Sequence, residues 1–326
     1  MTAWPRSFHL RARKALLVLS LLPASAAAQG TAIHTEPDSV RLVTEDVGRF
    51  WQAFHALAGA RSTDDSLRIL REGYLDRATP GLQDFIRSRI GDERRLLRQV
   101  AARPRFYAAI ERTTRQLDVV VPELRRDLRA FARLYPGARF PDVYFTIGRM
   151  NSGGTTGGSG LLIGTELYAV DSATPREELN DWERSVVHTP ASIPCLVTHE
   201  LVHYQQPDLN AQPSLLVAVM REGSADFVAE LACGSTINVP VYTWAEQHRG
   251  ELWAEFRQKM DGTDYTGWLY GANQVPGRPA DVGYWLGYRI SKAYYERATD
   301  KVQALRDLLT TDDYAGVVRR SGFDGR

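Results

Sequence analysis

The sequence predicts an α+β protein that is mainly helical, and three observations carry that expectation. Apolar residues recur three and four apart through residues 36–135, as in Val47-Phe50-Trp51-Phe54-Leu57 and Leu124-Leu128-Phe131-Leu134, which is the period of amphipathic helices. Between 139 and 170 the texture changes to β-branched and aromatic residues, the material of strands. Two further helical stretches follow at about 192–206 and 214–233, the first carrying Pro194 in its opening turn and stopped by Pro207, the second stopped by Gly234.

Each element can be justified in order. Arg6, Arg11, Arg13 and Lys14 precede the apolar run 15–22, which ends at Pro23 and leads into Ala24-Ser25-Ala26-Ala27-Ala28. A basic stretch, a short apolar run and an Ala-x-Ala site predict a secretory signal peptide over residues 1–28, with an uncleaved anchor as the competing reading. The expected location is therefore exported, periplasmic or extracellular. No cysteine follows the cleavage site, so a lipid anchor there is not expected, and no later apolar stretch is long enough for an integral membrane segment.

Removing 1–28 takes four positive charges and no acids, which moves the formal net charge from +1 to −3. Nucleic acid is not an expected partner, because phosphate binding needs concentrated Lys and Arg. The arginines of 87–134 alternate with acids and leucines at helical spacing and read as a solvated helix face.

Residues 29–135 form the expected N-terminal helical region, broken by Pro80, Pro104, Gly81 and Gly91. Pro136-Gly137 is the expected boundary to a core spanning 136–326. Val143–Ile147 and 161–170 predict two strands, and the glycine-rich 151–160 between them predicts a flexible hairpin connection. A phosphate loop is excluded there, since no Gly-Lys-Ser/Thr follows and the next element is a strand. Cys195 and Cys233 are the two cysteines; spacing leaves open whether they form a disulfide or stay as small buried thiols.

The chemistry concentrates in His199-Glu200-Leu201-Val202-His203. Histidines four apart lie on one helix face about 5.4 Å apart in rise, so both imidazoles can reach one Zn²⁺, while Glu200 points about 100° away. After 18 intervening residues begins Glu222-Gly223-Ser224-Ala225-Asp226. A turn and a returning antiparallel helix would make Glu222 the third ligand, and Asp226 could orient a ligating histidine from its second ring nitrogen. A closed structural zinc would normally use four Cys or His ligands, which these residues do not supply. His188 and His248 lack such context and read as ordinary residues.

This set resembles the gluzincin metallopeptidases, in which His-Glu-x-x-His is followed by Glu and, four residues later, Asp. Together with Gly283-Tyr284-Trp285-Leu286-Gly287-Tyr288 it is similar to a bacterial family of predicted zinc-dependent proteases. The resemblance implies a zincin-like core, one zinc per chain on His199, His203 and Glu222, and a metal-activated water attacking a peptide or protein substrate with Glu200 as general base. It also implies an oxyanion donor, for which Tyr284 and Tyr288 are candidates against a reading of both as core residues, and a cleft wall formed by residues 161–170, with a buried strand that contacts no ligand as the alternative. The alternative is a catalytically inactive zincin-fold binding or assembly protein of the cell envelope.

Overall fold

The N-terminal periodicity resolves into six helices, seen in a computed structural model that describes residues 32–209, 212–271 and 275–326. The expected signal peptide over 1–28 lies outside the described residues. The helices are α1 (Glu45–Ala56), α2 (Thr63–Gly73), α3 (Pro80–Phe85), α4 (Glu93–Ala102), α5 (Pro104–Arg115) and α6 (Val121–Leu134). Ser62, Thr79 and Asp92 cap α2, α3 and α4 by accepting a hydrogen bond from the third residue beyond them, which satisfies one of the backbone donors a helix start leaves free.

Their apolar faces bury Phe50, Trp51, Phe85, Phe106 and Phe131 in a core shared with the C-terminal half. Hydroxyl and indole groups pin this layer to the sheet. Trp51 Nε1 donates to Thr114 Oγ1 at 2.8 Å, while the Tyr74 and Tyr107 hydroxyls donate to the carbonyls of Ile147 and Gly148 at 2.7 and 2.9 Å.

Strands β1 (Ile33–His34) and β3 (Phe140–Pro141) form a short antiparallel pair. The main sheet has the order β2 (Leu42–Val43), β4 (Val143–Thr146), β6 (Gly160–Gly164), β5 (Gly154–Gly157). Here the structure corrects the sequence reading. β4 and β6 run parallel, with Val143 opposite Leu161, so they cannot be the arms of one hairpin. The glycine-rich segment instead supplies strand β5, antiparallel to β6 and joined to it by Gly158-Ser159.

Thr155 and Thr156 provide β-branched character inside a run otherwise too small and polar to be read as a strand. Gly160, at φ +140, makes the turn possible, since a Cβ there would lie 2.2 Å from the Asp142 carbonyl. β6 is also shorter than expected. It stops at Gly164, and Thr165–Tyr168 form a single 3-10 turn. It lies inside the sheet with every residue buried, so the free edge belongs to β5.

Beyond the sheet come α7 (Asp181–Val186), α8 (Ile193–Gln205), α9 (Leu215–Cys233), α10 (Val239–Gln247), α11 (Arg249–Lys259), α12 (Val282–Arg297), α13 (Lys301–Thr310) and α14 (Tyr314–Ser321). No helix among the described residues is long and apolar enough to cross a membrane. α8 and α9 are buried over most of their length, as their weak amphipathicity requires.

The small residues of α9 serve a purpose that spacing did not reveal. A Cβ on Gly223 would lie 2.1 Å from Gly287 and Tyr288 backbone atoms, and one on Gly287 would lie 2.0 Å from the Val219 carbonyl. The close approach is therefore to α12. The cysteine question is also settled: Cys195 near the start of α8 bonds to Cys233 at the end of α9, with Cα atoms 5.4 Å apart.

Two outcomes follow for stability. Gly223→Ala should cost about 3 kcal/mol in denaturant unfolding, because the methyl group meets backbone, which cannot move aside as a side chain can. Replacing both cysteines by Ala should cost about 2–4 kcal/mol, since the bridge closes a loop of 38 residues. Unchanged unfolding midpoints would contradict the helix-packing account in the first case and the cross-link in the second.

Candidate metal centre

α8 and α9 run side by side and turn their polar residues toward each other. Their shared register brings the expected ligands together. His199 Nε2 and His203 Nε2 lie 3.0 Å apart, and Glu222 Oε2 sits 3.1 Å from the second and 3.5 Å from the first. These three residues offer ligand atoms that all lie within 4.8 Å of one another.

The outer hydrogen bonds decide where the protons are. His199 Nδ1 is 2.7 Å from Asp226 Oδ1, and an ionised carboxylate can only accept, so that nitrogen donates. His203 Nδ1 is 2.9 Å from Gln206 Oε1. The Gln206 amide is fixed in turn, because its Nε2 donates to the Arg221 carbonyl at 3.1 Å and to Ser224 Oγ at 3.0 Å. Both imidazoles thus carry a proton on Nδ1 and aim a lone pair from Nε2 at the same point. Glu222 adds an anionic oxygen there. Three acceptors with no hydrogen among them repel one another unless a cation sits between them.

That cation is a proton or a metal ion. In the protein without metal the electrostatics favour protonation: burial works against a charged His199, but hydrogen bonds to Asp226 and Glu222 outweigh it and hold the ring well above the usual histidine range. His203 is raised in the same way, its burial outweighed by Glu222. Glu222 is correspondingly held well below the ordinary carboxylate range despite its burial, chiefly by His203. Two imidazole nitrogens and one carboxylate oxygen, each oriented from behind, make a donor set that fits Zn²⁺ with further positions open.

Around these atoms lies a cleft of about 660 Å³. Glu200 lines it, buried and raised above the usual carboxylate range by that burial. The carboxylate lies against β5, where a Cβ on Gly154 would come within 2.3 Å of Glu200 Oε1. Tyr284 also reaches the cleft, its ring stacked on His199 at 6.2 Å and 22°. Tyr288 does not. One turn further along α12, its hydroxyl donates to Glu230 Oε1 at 2.9 Å and its ring packs on Phe227 and Tyr242.

Several residues in the cleft or behind its ligand atoms were not singled out from the sequence. Tyr270 donates to Glu222 Oε1 at 2.7 Å, although its side chain is otherwise 60 % exposed. It comes from a loop far along the chain, and no spacing rule connects it to the motif. Tyr242 donates to Asp226 Oδ2 at 2.5 Å, extending the chain that orients His199. Gln206 lay three residues beyond His203 in an otherwise helical run, which is the spacing that places side chains together. His188, read from sequence as an ordinary residue, lines the cleft stacked on Tyr168 at 5.2 Å. Of the expected cleft wall at 161–170 only Leu167 and Tyr168 line the cleft, and Asn151–Thr156 form the rest of that side.

Comparison with known proteins bears on what this site is for. A family model described as gliding motility protein GldB matches residues 34–325, nearly the whole chain. Among curated proteins and solved structures, none matches. The match overturns the resemblance to gluzincin metallopeptidases, and with it the expected hydrolase, protease and metalloprotease assignments and the general-base role of Glu200. The physical reason is that two histidines, two carboxylates and their spacing specify a place for a cation, whereas peptide hydrolysis also demands substrate placement that those residues do not encode. By this match the chain belongs to the family of the gliding motility protein GldB.

Proposed function

We propose that the chain is a metal-holding binding or assembly protein of the cell envelope. In this reading His199, His203 and Glu222 carry one Zn²⁺, and the cleft beside it takes an extended stretch of a partner protein without cleaving it. The observation that carries the reading is the convergence of two histidine Nε2 atoms and one Glu222 oxygen on a single point. When bound, the metal would supply a Lewis-acidic coordination position to a partner's carboxylate, carbonyl or imidazole. The helix pair keeps a zincin-like arrangement put to use in binding.

The chain's own residues have distinct tasks. Asp226 and Gln206 hold the two imidazoles in the tautomer that leaves Nε2 free, and Tyr242 and Ser224 hold those two groups in turn or support them. Tyr270 hydrogen-bonds Glu222 Oε1, which leaves Oε2 facing the histidines.

β5 offers the surface for a partner. Gly164 N donates to the Gly153 carbonyl at 2.8 Å, and the register places Thr155 opposite Leu162. Hydrogen-bonding alternates along an antiparallel pair, so the N–H groups of Gly154 and Thr156 and the Thr156 carbonyl point away from β6. An extended chain can add to such an edge.

Envelope association is supported by the family, whose label carries a lipoprotein designation, and by the leader expected over 1–28. The Cys195–Cys233 disulfide fits an oxidising compartment outside the cytoplasm. Because both cysteines are committed to that bridge, neither thiol is available for acylation.

Elemental analysis of purified protein should find about one zinc per chain in the wild type and in Glu200→Gln, and little in His203→Ala. Gln206→Ala should retain the fold but bind zinc about 10–100-fold more weakly, as loss of an orienting partner does. Wild-type protein without zinc after reconstitution would sink the metal reading.

Screening a library of unstructured peptides should yield binders that are recovered intact from the complex. Thr156→Pro, which removes an outward N–H from the edge strand, should abolish their binding while leaving zinc content unchanged. Binding that survives this change would move the partner site off β5.

A further inference from the structure

We propose that Arg95, Arg98 and Arg149 form a binding site for a phosphoryl group, separate from the metal centre and independent of it. Arg95, Arg98, Gln99 and Arg149 line one cavity of about 280 Å³ whose wall includes no acidic residue. Many arginines elsewhere are paired with carboxylates, such as Arg41 with Asp142, Arg103 with Glu183 and Arg289 with Glu246. Among the described residues no carboxylate pairs with Arg98 or Arg149, and Arg95 has only a long contact of 3.6 Å to Asp92. Glu93, on the same helix, is engaged by Arg71, and Glu183, which accepts from Gln99, is engaged by Arg103.

Arg149 is positioned by a device that the metal centre does not use. Glu166 is fully buried behind it, and its two carboxylate oxygens accept the backbone N–H groups of Gly148 at 2.9 Å and Met150 at 3.0 Å. This clamp holds the residues on either side of Arg149. Met150 is thereby kept at φ +57, a left-handed conformation that a methionine adopts only when its surroundings impose it. Arg149 Nε donates to the Arg89 carbonyl at 2.8 Å, which spends that donor and leaves both terminal NH₂ groups for the cavity.

The donor count selects the ligand class. An arginine has five N–H groups, of which Arg149 has committed one. Three guanidinium groups, two from α4 and one from the loop after β4, offer more donors than the two oxygens of a carboxylate can accept, whereas the terminal oxygens of a phosphoryl group can take them all. The group could be presented by a soluble phosphate ester or by a lipid headgroup at an envelope surface, and the chemistry at the cavity is the same.

The test uses the full protein with Arg98→Gln, Arg149→Gln and, as a charge-matched control, the exposed Arg306→Gln. Inorganic phosphate is titrated by calorimetry at one fixed ionic strength, and flotation is measured with phosphatidylcholine vesicles with and without phosphatidylglycerol. The expected result is phosphate binding weakened about 10-fold or more in both cavity variants and unchanged in Arg306→Gln, the size expected for losing one charge-assisted contact. Flotation that needs phosphatidylglycerol and is lost in the same variants assigns a lipid source, and phosphate binding without flotation assigns a soluble ester. Arg98 is exposed, so its variant keeps the test interpretable if Arg149→Gln fails to fold. No phosphate binding by the wild type, equal weakening in the control, or binding of polyglutamate in preference to phosphate would overturn the proposal.

Discussion

The contact on which the site depends is the one between the backbones of α9 and α12. With no side chain on Gly223 or Gly287, the two helices meet main chain to main chain, and this fixes how α9 is rotated about its own axis. Successive residues on a helix differ by about 100°, so once Gly223 faces α12, Glu222 and Asp226 are directed together toward α8. The disulfide from Cys195 to Cys233 then holds the pair at its far end. Metal-ligand geometry here is a by-product of helix packing. A bulkier residue at 223 would act on the site without touching it.

The parts of this arrangement legible in the sequence were those governed by a local period. Histidines four apart, and Glu222 and Asp226 four apart, must share helix faces whatever the fold, and the structure places all four side chains within one cluster. Tyr284 and Tyr288 share a helix too, but a four-residue step turns by about 400°, and the 40° offset together with a further turn of rise carries Tyr288 out of the cleft toward Glu230. What could not be read was anything set by chain crossing. Parallel pairing of β4 with β6, and the strand hidden in the glycine-rich segment, depend on where the chain goes after Ile147. Tyr270 and Tyr242 reach the site from loops and helices with no fixed spacing from the motif.

The correction of the peptidase reading follows the same division. A short motif reports local geometry, and in this chain the local geometry does bring the three candidate ligand residues together. What a site does with a cation is decided by features spread over the whole chain, and the whole chain belongs to a gliding motility family. The buried Glu200 then takes on a different meaning. Packed against Gly154, it contributes negative charge close to the ligand atoms and a contact that helps seat the edge strand.

Charge balance gives the strongest physical case that the centre holds a cation. Glu200, Glu222 and Asp226 are all buried around two histidines, which their carboxylate partners hold above the usual histidine range when no metal is bound. Arg89 and Arg221 line the same cleft, but neither forms an ion pair with these carboxylates among the described residues; Arg221 donates to the Pro207 carbonyl and Arg89 to Thr155. Three carboxylates taken out of water without direct cationic partners would cost several kcal/mol each, which a protein ordinarily avoids by pairing or by binding a metal. Protonating both imidazoles would supply two positive charges but would set their Nε2 hydrogens against each other across 3.0 Å. A divalent ion supplies the same charge at one point, in line with both lone pairs. One ion at that point would meet the carboxylates and both lone pairs without the repulsion between two Nε2 hydrogens, and this is the argument for proposing a metal over protons there.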